Sequence, residues 1–138
     1  MDTETKFRVW DKDRNEMYYL TDNTTENNSI MDMRIVFDEL GICVFVKGYG
    51  EEEFKNIRNF KLMQYTGLKD MNGKEIYEGD IVEYCNTLTE LSEVIVSKVI
   101  YRKGCFGIEG FFKGSFIAFS DISPEHIKIV GNVYEKEA

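Results

Sequence analysis

His126 is the only histidine among the 138 residues of this chain, so any Ser-His-Asp or Cys-His arrangement would have to use it. It follows Pro124 and Glu125 in a short segment between two predicted strands. Ser123 is expected to cap one turn of helix there, with Pro124 at the first helical position. A capping or surface role therefore fits His126 better than nucleophilic catalysis.

Carboxylates are the other side chains that could do chemistry, because a positioned carboxyl group can exchange a proton with a substrate. Asp70, Glu75, Glu78 and Asp80 cluster around one predicted hairpin. Aspartates near turns more often accept hydrogen bonds from nearby backbone amides, and we favour that role here. We therefore predict that the protein is not an enzyme and has no catalytic residues.

The spacing of potential metal ligands and of glycines argues against a metal site or a cofactor. The chain has no paired Cys or His motif, no GxxxxGK[ST] loop and no GxGxxG segment. Asp11-Lys12-Asp13 begins like a calcium-binding loop, but the glycine and the distal glutamate of such a loop are missing. We predict no metal, no cofactor and a solvated turn at these residues.

Aromatic and basic residues of the second half are the candidates for a weak peptide- or nucleic-acid-binding surface. They are Tyr65, Tyr77, Tyr84, Tyr101, Arg102, Lys103, Phe112 and Lys113. Stacking of a nucleic-acid base on an exposed aromatic ring is worth about 1–3 kcal/mol. Packing in the core or at a sheet edge is the simpler role for the same side chains, and we favour it.

Charge and cysteine content restrict the partners and the compartment. The formal net charge is −8, which disfavours a broad phosphate-binding face but leaves basic proteins as partners. Cys43, Cys85 and Cys105 are odd in number and scattered, as expected for reduced thiols in a cytosolic protein. No apolar run approaches the length that spans a bilayer. These features predict a cytoplasmic protein without membrane contact.

Alternating apolar and polar residues predict strands throughout the first half. Residues 6–10 and 16–20 form a plausible hairpin around the polar turn at 11–15, and residues 21–29 form a polar loop. Residues 33–38 and 42–47 are predicted as two further strands. A helix over residues 30–40, capped by Ser29, is the alternative because its apolar residues also follow helical spacing.

The second half contains five or six short strands separated by frequent turns, a pattern that favours a small closed β-barrel. Asn72-Gly73 predicts a type I′ hairpin turn, which needs positive φ at both central residues. Residues 94–101 predict a long central strand, and Gly131 indicates a bulge or a close approach of the backbone in the last strand. The charged segment 48–59 is the predicted link between the two halves.

Four segments spread over nearly the whole chain form a recognisable pattern. They are residues 6–11 with 17–19, residues 63–70 (MQYTGLKD), residues 72–82 (NGKEIYEGDIV) and residues 129–135 (IVGNVYE). In order and spacing they resemble the YopX family of small phage and prophage proteins. The resemblance implies a phage-derived gene in a bacterial genome, but no activity and no catalytic residue.

The resemblance also implies a two-part fold, and together with the strand pattern it defines the expected architecture. We predict a mainly β (α+β) protein with two subdomains. Residues 1–59 would form an N-terminal β-rich or α+β subdomain, and residues 60–138 an SH3-like small β-barrel.

A protein with this composition and no catalytic constellation is expected to bind other molecules. We predict a non-enzymatic protein-binding or assembly module that acts on an unknown host or phage protein. The alternative is a nucleic-acid-binding accessory protein that uses the aromatic and basic barrel surface, although the net charge disfavours it. We also expect a homo-oligomer, because short β domains with apolar edges commonly self-associate.

Overall fold

The computed structural model describes residues 5–20, 30–86, 93–102, 104–110 and 114–135. These residues contain twelve strands, two three-residue 3₁₀ turns and no α-helix, which confirms the prediction of a mainly β protein. The predicted loop at residues 21–29 lies outside the described residues. The chain divides into two compact units, one comprising Lys6–Met63 and the other mainly Gln64–Ala138. The predicted subdomain boundary at 59/60 and the SH3-like barrel stay predictions.

The strands follow one another closely along both units. They are β1 (Phe7–Asp11), β2 (Glu16–Tyr19), β3 (Ile30–Asp38), β4 (Gly41–Gly48), β5 (Lys55–Ile57), β6 (Phe60–Lys69), β7 (Glu75–Tyr77), β8 (Asp80–Asn86), β9 (Glu93–Arg102), β10 (Cys105–Glu109), β11 (Phe116–Ala118) and β12 (Ile127–Asn132). The 3₁₀ turns comprise Phe119–Asp121 and Pro124–His126. The boundary between the two units falls within β6.

In the unit Lys6–Met63, the predicted first hairpin is confirmed. β1 and β2 pair antiparallel from Arg8 opposite Tyr19 to Asp11 opposite Glu16. Both faces of β1 are covered, since Arg8, Val9 and Asp11 are all buried. Asp11 was expected in a solvated turn, and its burial corrects that expectation.

The next apolar segment also forms strands, so the helix alternative for residues 30–40 is wrong. β3 and β4 pair antiparallel as a long hairpin that closes at Asp38 opposite Gly41, and β5 pairs with the other side of β4. The helical spacing was misleading for two reasons. A register shift between Ile30 and Asp32 lets Ile30 and Met33 both be buried, and the other apolar residues of the pattern are exposed. The core of this unit consists of Val9, Tyr18, Ile30, Met33, Val44, Val46 and Ile57.

In the unit Gln64–Ala138, a five-stranded antiparallel sheet has the order β11-β10-β9-β8-β12. The long strand β9 is its central strand, as its apolar sequence predicted. Alternate residues of the sheet form the core of this unit together with residues of the adjoining turns. This core consists of Ile76, Val82, Ile95, Val99, Ile108, Phe119, Ile122 and Ile127.

The turn at Asn72-Gly73 is a hairpin turn, but its type differs from the prediction. Asn15 is the one non-glycine residue with positive φ in the described part of the chain, so Asn72 does not have the type I′ geometry. The Gly73 N–H donates to the Asp70 carbonyl, and the Asp70 N–H donates to the Lys74 carbonyl. Gly73 has φ of 81°. This pattern is that of a three-residue loop with a glycine bulge.

Two predictions for the C-terminal segment are confirmed in outline. Pro124 opens a helical turn that Ser123 precedes, although the Ser123 side chain makes no capping hydrogen bond. Gly131 lies at a register shift between β12 and β8, as a bulge requires. His126 is exposed at the end of that helical turn, which agrees with a surface role.

Candidate functional site

Asp70 holds the β6–β7 hairpin to β12. Its Oδ1 accepts hydrogen bonds from the backbone N–H groups of Asn72 and Lys74, each at 2.9 Å. Its Oδ2 accepts one from the Ile129 N–H at 3.0 Å. The side chain is only 7% exposed. The predicted role in turn chemistry is confirmed, and it extends to a strand 59 residues away.

The protonation of Asp70 is set by two opposing effects. Burial raises the pKa of the carboxyl group, whereas the N–H donors of Ile129, Lys74 and Asn72 and the charge of Lys74 lower it. The donors outweigh burial, so the pKa of Asp70 lies below its ordinary value. A carboxylate held in this way serves as a fixed acceptor for backbone amides.

Asp80 has a similar structural role at the next turn. It is buried, and its Oδ2 accepts a hydrogen bond from the Tyr77 N–H at 2.8 Å. The backbone at this turn is further held because the Gly79 N–H donates to the Val99 carbonyl and its own carbonyl accepts from Val133. The two aspartates of the predicted acidic cluster are therefore parts of the scaffold.

A third buried carboxylate, Asp11, organises the first hairpin. Its Oδ1 accepts from the N–H groups of Asp13 and Arg14, and its Oδ2 accepts from the Tyr18 hydroxyl at 3.2 Å. Burial, together with the negative charges of Asp11 and Glu16, raises the pKa of Tyr18 to about 12. Tyr18 therefore keeps the proton that it donates to Asp11. Period-two alternation did not predict this burial, because Asp11 resembles the polar turn residues that follow it.

The predicted aromatic surface is not assembled as expected. Tyr65 and Tyr77 are buried, with ring centroids 5.5 Å apart across the β6–β7 pair. An exposed, ligand-contacting role is therefore wrong for these two tyrosines. Tyr84 is half-buried and packs against the core of its unit. The predictions for Lys103, Phe112 and Lys113 lie outside the described residues.

Tyr101 and Arg102 are neighbours in sequence but lie on opposite faces of β9, because side chains alternate along a strand. Tyr101 is 56% exposed, and its ring meets Phe106 edge to face at a centroid distance of 5.0 Å. Arg102 lies over the ring of Phe116 at 5.5 Å and donates to the Gly114 carbonyl. The structure thus separates the ring from the charge that was expected beside it.

The end of the β3–β4 hairpin carries an exposed apolar cluster that sequence reasoning missed. We call it the hairpin tip and define it as Val36, Phe37, Leu40 and Ile42. Phe37 is 64% exposed, Leu40 96%, Val36 42% and Ile42 41%. Phe37 and Ile42 stand directly opposite each other in the ladder. The sequence places Phe37 before the turn and Ile42 after it, but the alternation of apolar residues does not show which of them are buried.

Two further findings on the described residues concern metal ions and membranes. No group of three or more Cys, His, Asp or Glu side chains within the described ranges is placed to hold a metal ion. None of the described segments is a helix that is long and apolar enough to cross a membrane.

The described residues define an antiparallel β protein with carboxylate-held turns and an apolar hairpin tip. A sequence model of the YopX protein family matches residues 6–137. The chain therefore belongs to the YopX family, which confirms the resemblance found in its motifs. No curated protein matches it significantly.

Two solved structures resemble the chain over nearly its full length. Protein EF1440 from Enterococcus faecalis is 27% identical, with a TM-score of 0.57, and the match covers 97% of this chain and 96% of that one. YopX from Bacillus subtilis is 22% identical, with a TM-score of 0.65, and the match covers 95% and 94%. At this level of identity, the likeness to YopX concerns the fold.

Proposed function

We propose that this YopX-family protein is a phage-derived, non-enzymatic protein-binding or assembly module that acts on a host or phage protein. The observation that carries the proposal is the hairpin tip, where Phe37 and Leu40 are more than half exposed. The opposed pair Phe37 and Ile42 places exposed apolar side chains next to each other. Such an arrangement is typical of protein-interaction sites, because a partner that covers it removes apolar surface from water.

The arrangement of the carboxylates supports a binding role over an enzymatic one. A carboxylate enzyme of this sequence would use the cluster Asp70, Glu75, Glu78 and Asp80. Its two aspartates are buried acceptors for backbone N–H groups. A general acid or base must reach the proton that it transfers. Both oxygens of Asp70 and the Oδ2 of Asp80 face backbone N–H groups instead.

The proposal includes a finer architecture and a location. Two separate hydrophobic clusters support two subdomains, one core in each unit. The five-stranded antiparallel sheet of the unit Gln64–Ala138 supports an SH3-like small barrel for the second. The free thiols of Cys43 and Cys105 support a reducing, cytoplasmic environment in a bacterial host.

Affinity capture from bacterial lysate tests the proposal when three forms of the protein are compared. Wild type is expected to retain a specific protein, and Phe37→Lys is expected to lose it because a charge then occupies the apolar tip. Val96→Lys is the matched control, since Val96 is 59% exposed on a strand of the other unit. Equal retention by all three forms, or no specific protein with any of them, would contradict the proposal.

Nucleic acid is the alternative partner, and the exposed Tyr101 beside Phe106 is the feature that favours it. Fluorescence anisotropy with single- and double-stranded probes at low salt measures such binding directly. We expect flat titrations, since the net charge of −8 repels phosphate. A saturable rise that Tyr101→Ala abolishes would replace the protein-binding proposal with the nucleic-acid one.

A further inference from the structure

The apolar face of the β3–β4 hairpin extends beyond the core that it helps to form. Met33, Ile35 and Phe37 lie on one face of β3, because alternate residues of a strand share a face. Met33 is buried in the core, Ile35 packs against it half-buried, and Phe37 is mostly exposed. On β4 the same gradient leads from the buried Val44 to the exposed Ile42. On this face, the apolar side chains at the hairpin tip, Phe37 and Ile42, are thus exposed.

The outer edge of β3 can pair with another strand. β3 is the first strand of the sheet β3-β4-β5, so its far side faces none of the described strands of that sheet. The register shift between Ile30 and Asp32 distorts the beginning of the strand, whereas pairing from Asp32 to Asp38 is regular. Regular, exposed edges are templates for strand addition. The part of this edge that is regular enough to pair with another strand therefore lies toward the hairpin tip.

We propose that a second copy of this chain pairs antiparallel with residues 34–38 of β3, with Val36 opposite Val36 across a two-fold axis. This inference rests on the proposed function and names the first partner as the protein itself. In this register Arg34 of each copy lies opposite Asp38 of the other, and Ile35 lies opposite Phe37. Both sets of contacts occur twice because the interface is isologous.

The charges of β3 single out this register among its neighbours. Moving the two-fold axis to Ile35 places Asp32 opposite Asp38, and moving it to Arg34 places that arginine opposite itself. Like charges directly opposite destabilise a sheet, whereas opposite charges and apolar pairs stabilise it by about 0.2–1 kcal/mol each. An axis at Met33 also pairs Asp32 with Arg34, but it requires the distorted segment at Ile30.

The local contacts of the two charged residues are compatible with the pairing. The Arg34 guanidinium lies over the Phe54 ring at 4.4 Å, and a stacked guanidinium can still donate hydrogen bonds from its planar N–H groups. Asp38 Oδ1 accepts from the Leu40 N–H at 2.8 Å. Its Oδ2 accepts a weak hydrogen bond from the Cys43 thiol at 3.8 Å, and a carboxylate has acceptor sites beyond these two bonds. Pairing would also bring Phe37 of each copy against Ile35 of the other and cover the exposed ring.

Disulfide trapping tests the register. Val36→Cys on a Cys43→Ser background places one new thiol at the two-fold axis, where opposite Cβ atoms are about 4.5–5.5 Å apart. The Cys43→Ser change is needed because Val36 faces Cys43 within the hairpin. We expect a disulfide-linked dimer under mild oxidation. The matched control, Val96→Cys on the same background, should stay largely uncrosslinked. Equal crosslinking of both variants, or none at position 36, would overturn the proposal.

Charge exchange gives an independent test by sedimentation equilibrium. Arg34→Asp and Asp38→Arg each place like charges opposite each other twice, so each should raise the dimer Kd roughly tenfold. The double variant restores opposite charges and should return to within about threefold of wild type. Asp38→Asn, which keeps an acceptor for Leu40, controls for the turn. A double variant as weak as the singles contradicts this register.

Self-pairing of β3 and binding of another protein are contradicted by different results. A wild type that is monomeric at all concentrations overturns self-pairing. If Phe37→Lys still abolishes capture of another protein, the proposed function survives that result. If neither self-association nor capture depends on Phe37, both proposals fall.

Discussion

At the scale of single residues, the buried carboxylates decide which turns can form. Asp70 accepts three backbone hydrogen bonds. Two come from Asn72 and Lys74 in its own loop, and one comes from Ile129 in β12. Hydrogen bonds to a charged acceptor contribute about 1.5–3 kcal/mol, and an unsatisfied buried N–H is costly. The residue thus connects a local loop to a distant strand.

Asp70→Asn is expected to lower the free energy of unfolding by roughly 2 kcal/mol, because the amide NH₂ cannot accept a hydrogen bond and must face an N–H donor. Urea denaturation at pH 7 measures the change. Asp121→Asn is the matched control, since Asp121 is exposed, and it should change stability by less than about 0.5 kcal/mol. Equal effects of the two substitutions would contradict the assigned role of Asp70.

The same carboxylate predicts a pH dependence. The pKa of Asp70 in the folded protein lies below its ordinary value of 3.8, so the unfolded chain binds the proton more readily. Stability from this group is therefore complete well above pH 3.8 and is lost as the pH falls through the folded pKa. The stability difference between wild type and Asp70→Asn should shrink from pH 5 downward. A difference that stays constant down to pH 3 would show that the lowered pKa does not contribute.

At the scale of elements, the packing of Phe116 on the β10–β11 hairpin explains a glycine. A Cβ on Gly107 would come within 2.6 Å of the Phe116 ring and would also meet the Ile117 carbonyl oxygen. Arg102 lies over the same ring. The Phe116 ring, with Arg102 over it, therefore occupies the space that a side chain at Gly107 would need.

Gly107→Ala is expected to destabilise the protein by about 1–3 kcal/mol, since the ring and the backbone of β11 must move. Gly131→Ala is the matched control in the same sheet. Gly131 has no positive φ, and a Cβ there meets nothing within 4 Å. Thermal unfolding of the two variants should separate them clearly. A midpoint for Gly107→Ala equal to that of Gly131→Ala would contradict the close packing.

Much of the strand pattern followed from local sequence, for reasons that these elements illustrate. The first hairpin, the β3–β4 pair and the bulge at Gly131 were predicted, because turn residues and period-two alternation act over short distances. The turn type at Asn72-Gly73 was missed because the Asn-Gly pair was taken without Asp70, whose Oδ1 accepts from the Asn72 and Lys74 N–H groups. An aspartate at the first turn position and a glycine at the fourth favour a type I turn.

The candidate site was less predictable than the strands. Tyr65 and Tyr77 have the composition of a stacking surface, but burial depends on which residues pack over them in the folded chain. Exposure of Phe37 depends in the same way on where the core ends. Arg102 was misjudged because alternation along β9 separates it from Tyr101. Residue type identified candidates, while tertiary packing decided which of them face solvent.

At the scale of the whole molecule, two separate cores raise the question of how cooperatively the chain unfolds. Val44 and Val99 are both buried valines, one in each hydrophobic cluster. Replacement of either by Ala removes the same atoms and should cost about 1–3 kcal/mol. The single tryptophan, Trp10, is buried in β1 of the unit Lys6–Met63, so its fluorescence follows the loss of structure around that strand.

If the units are independent subdomains, Val44→Ala should shift the denaturation midpoint of Trp10 fluorescence, and Val99→Ala should leave it in place. Circular dichroism of the β-sheet signal should then show a transition shifted by Val99→Ala that the fluorescence does not follow. We expect this separation, because each cluster draws its residues from one unit. Equal shifts of the fluorescence midpoint by both variants would show one cooperative structure and remove the support for two subdomains.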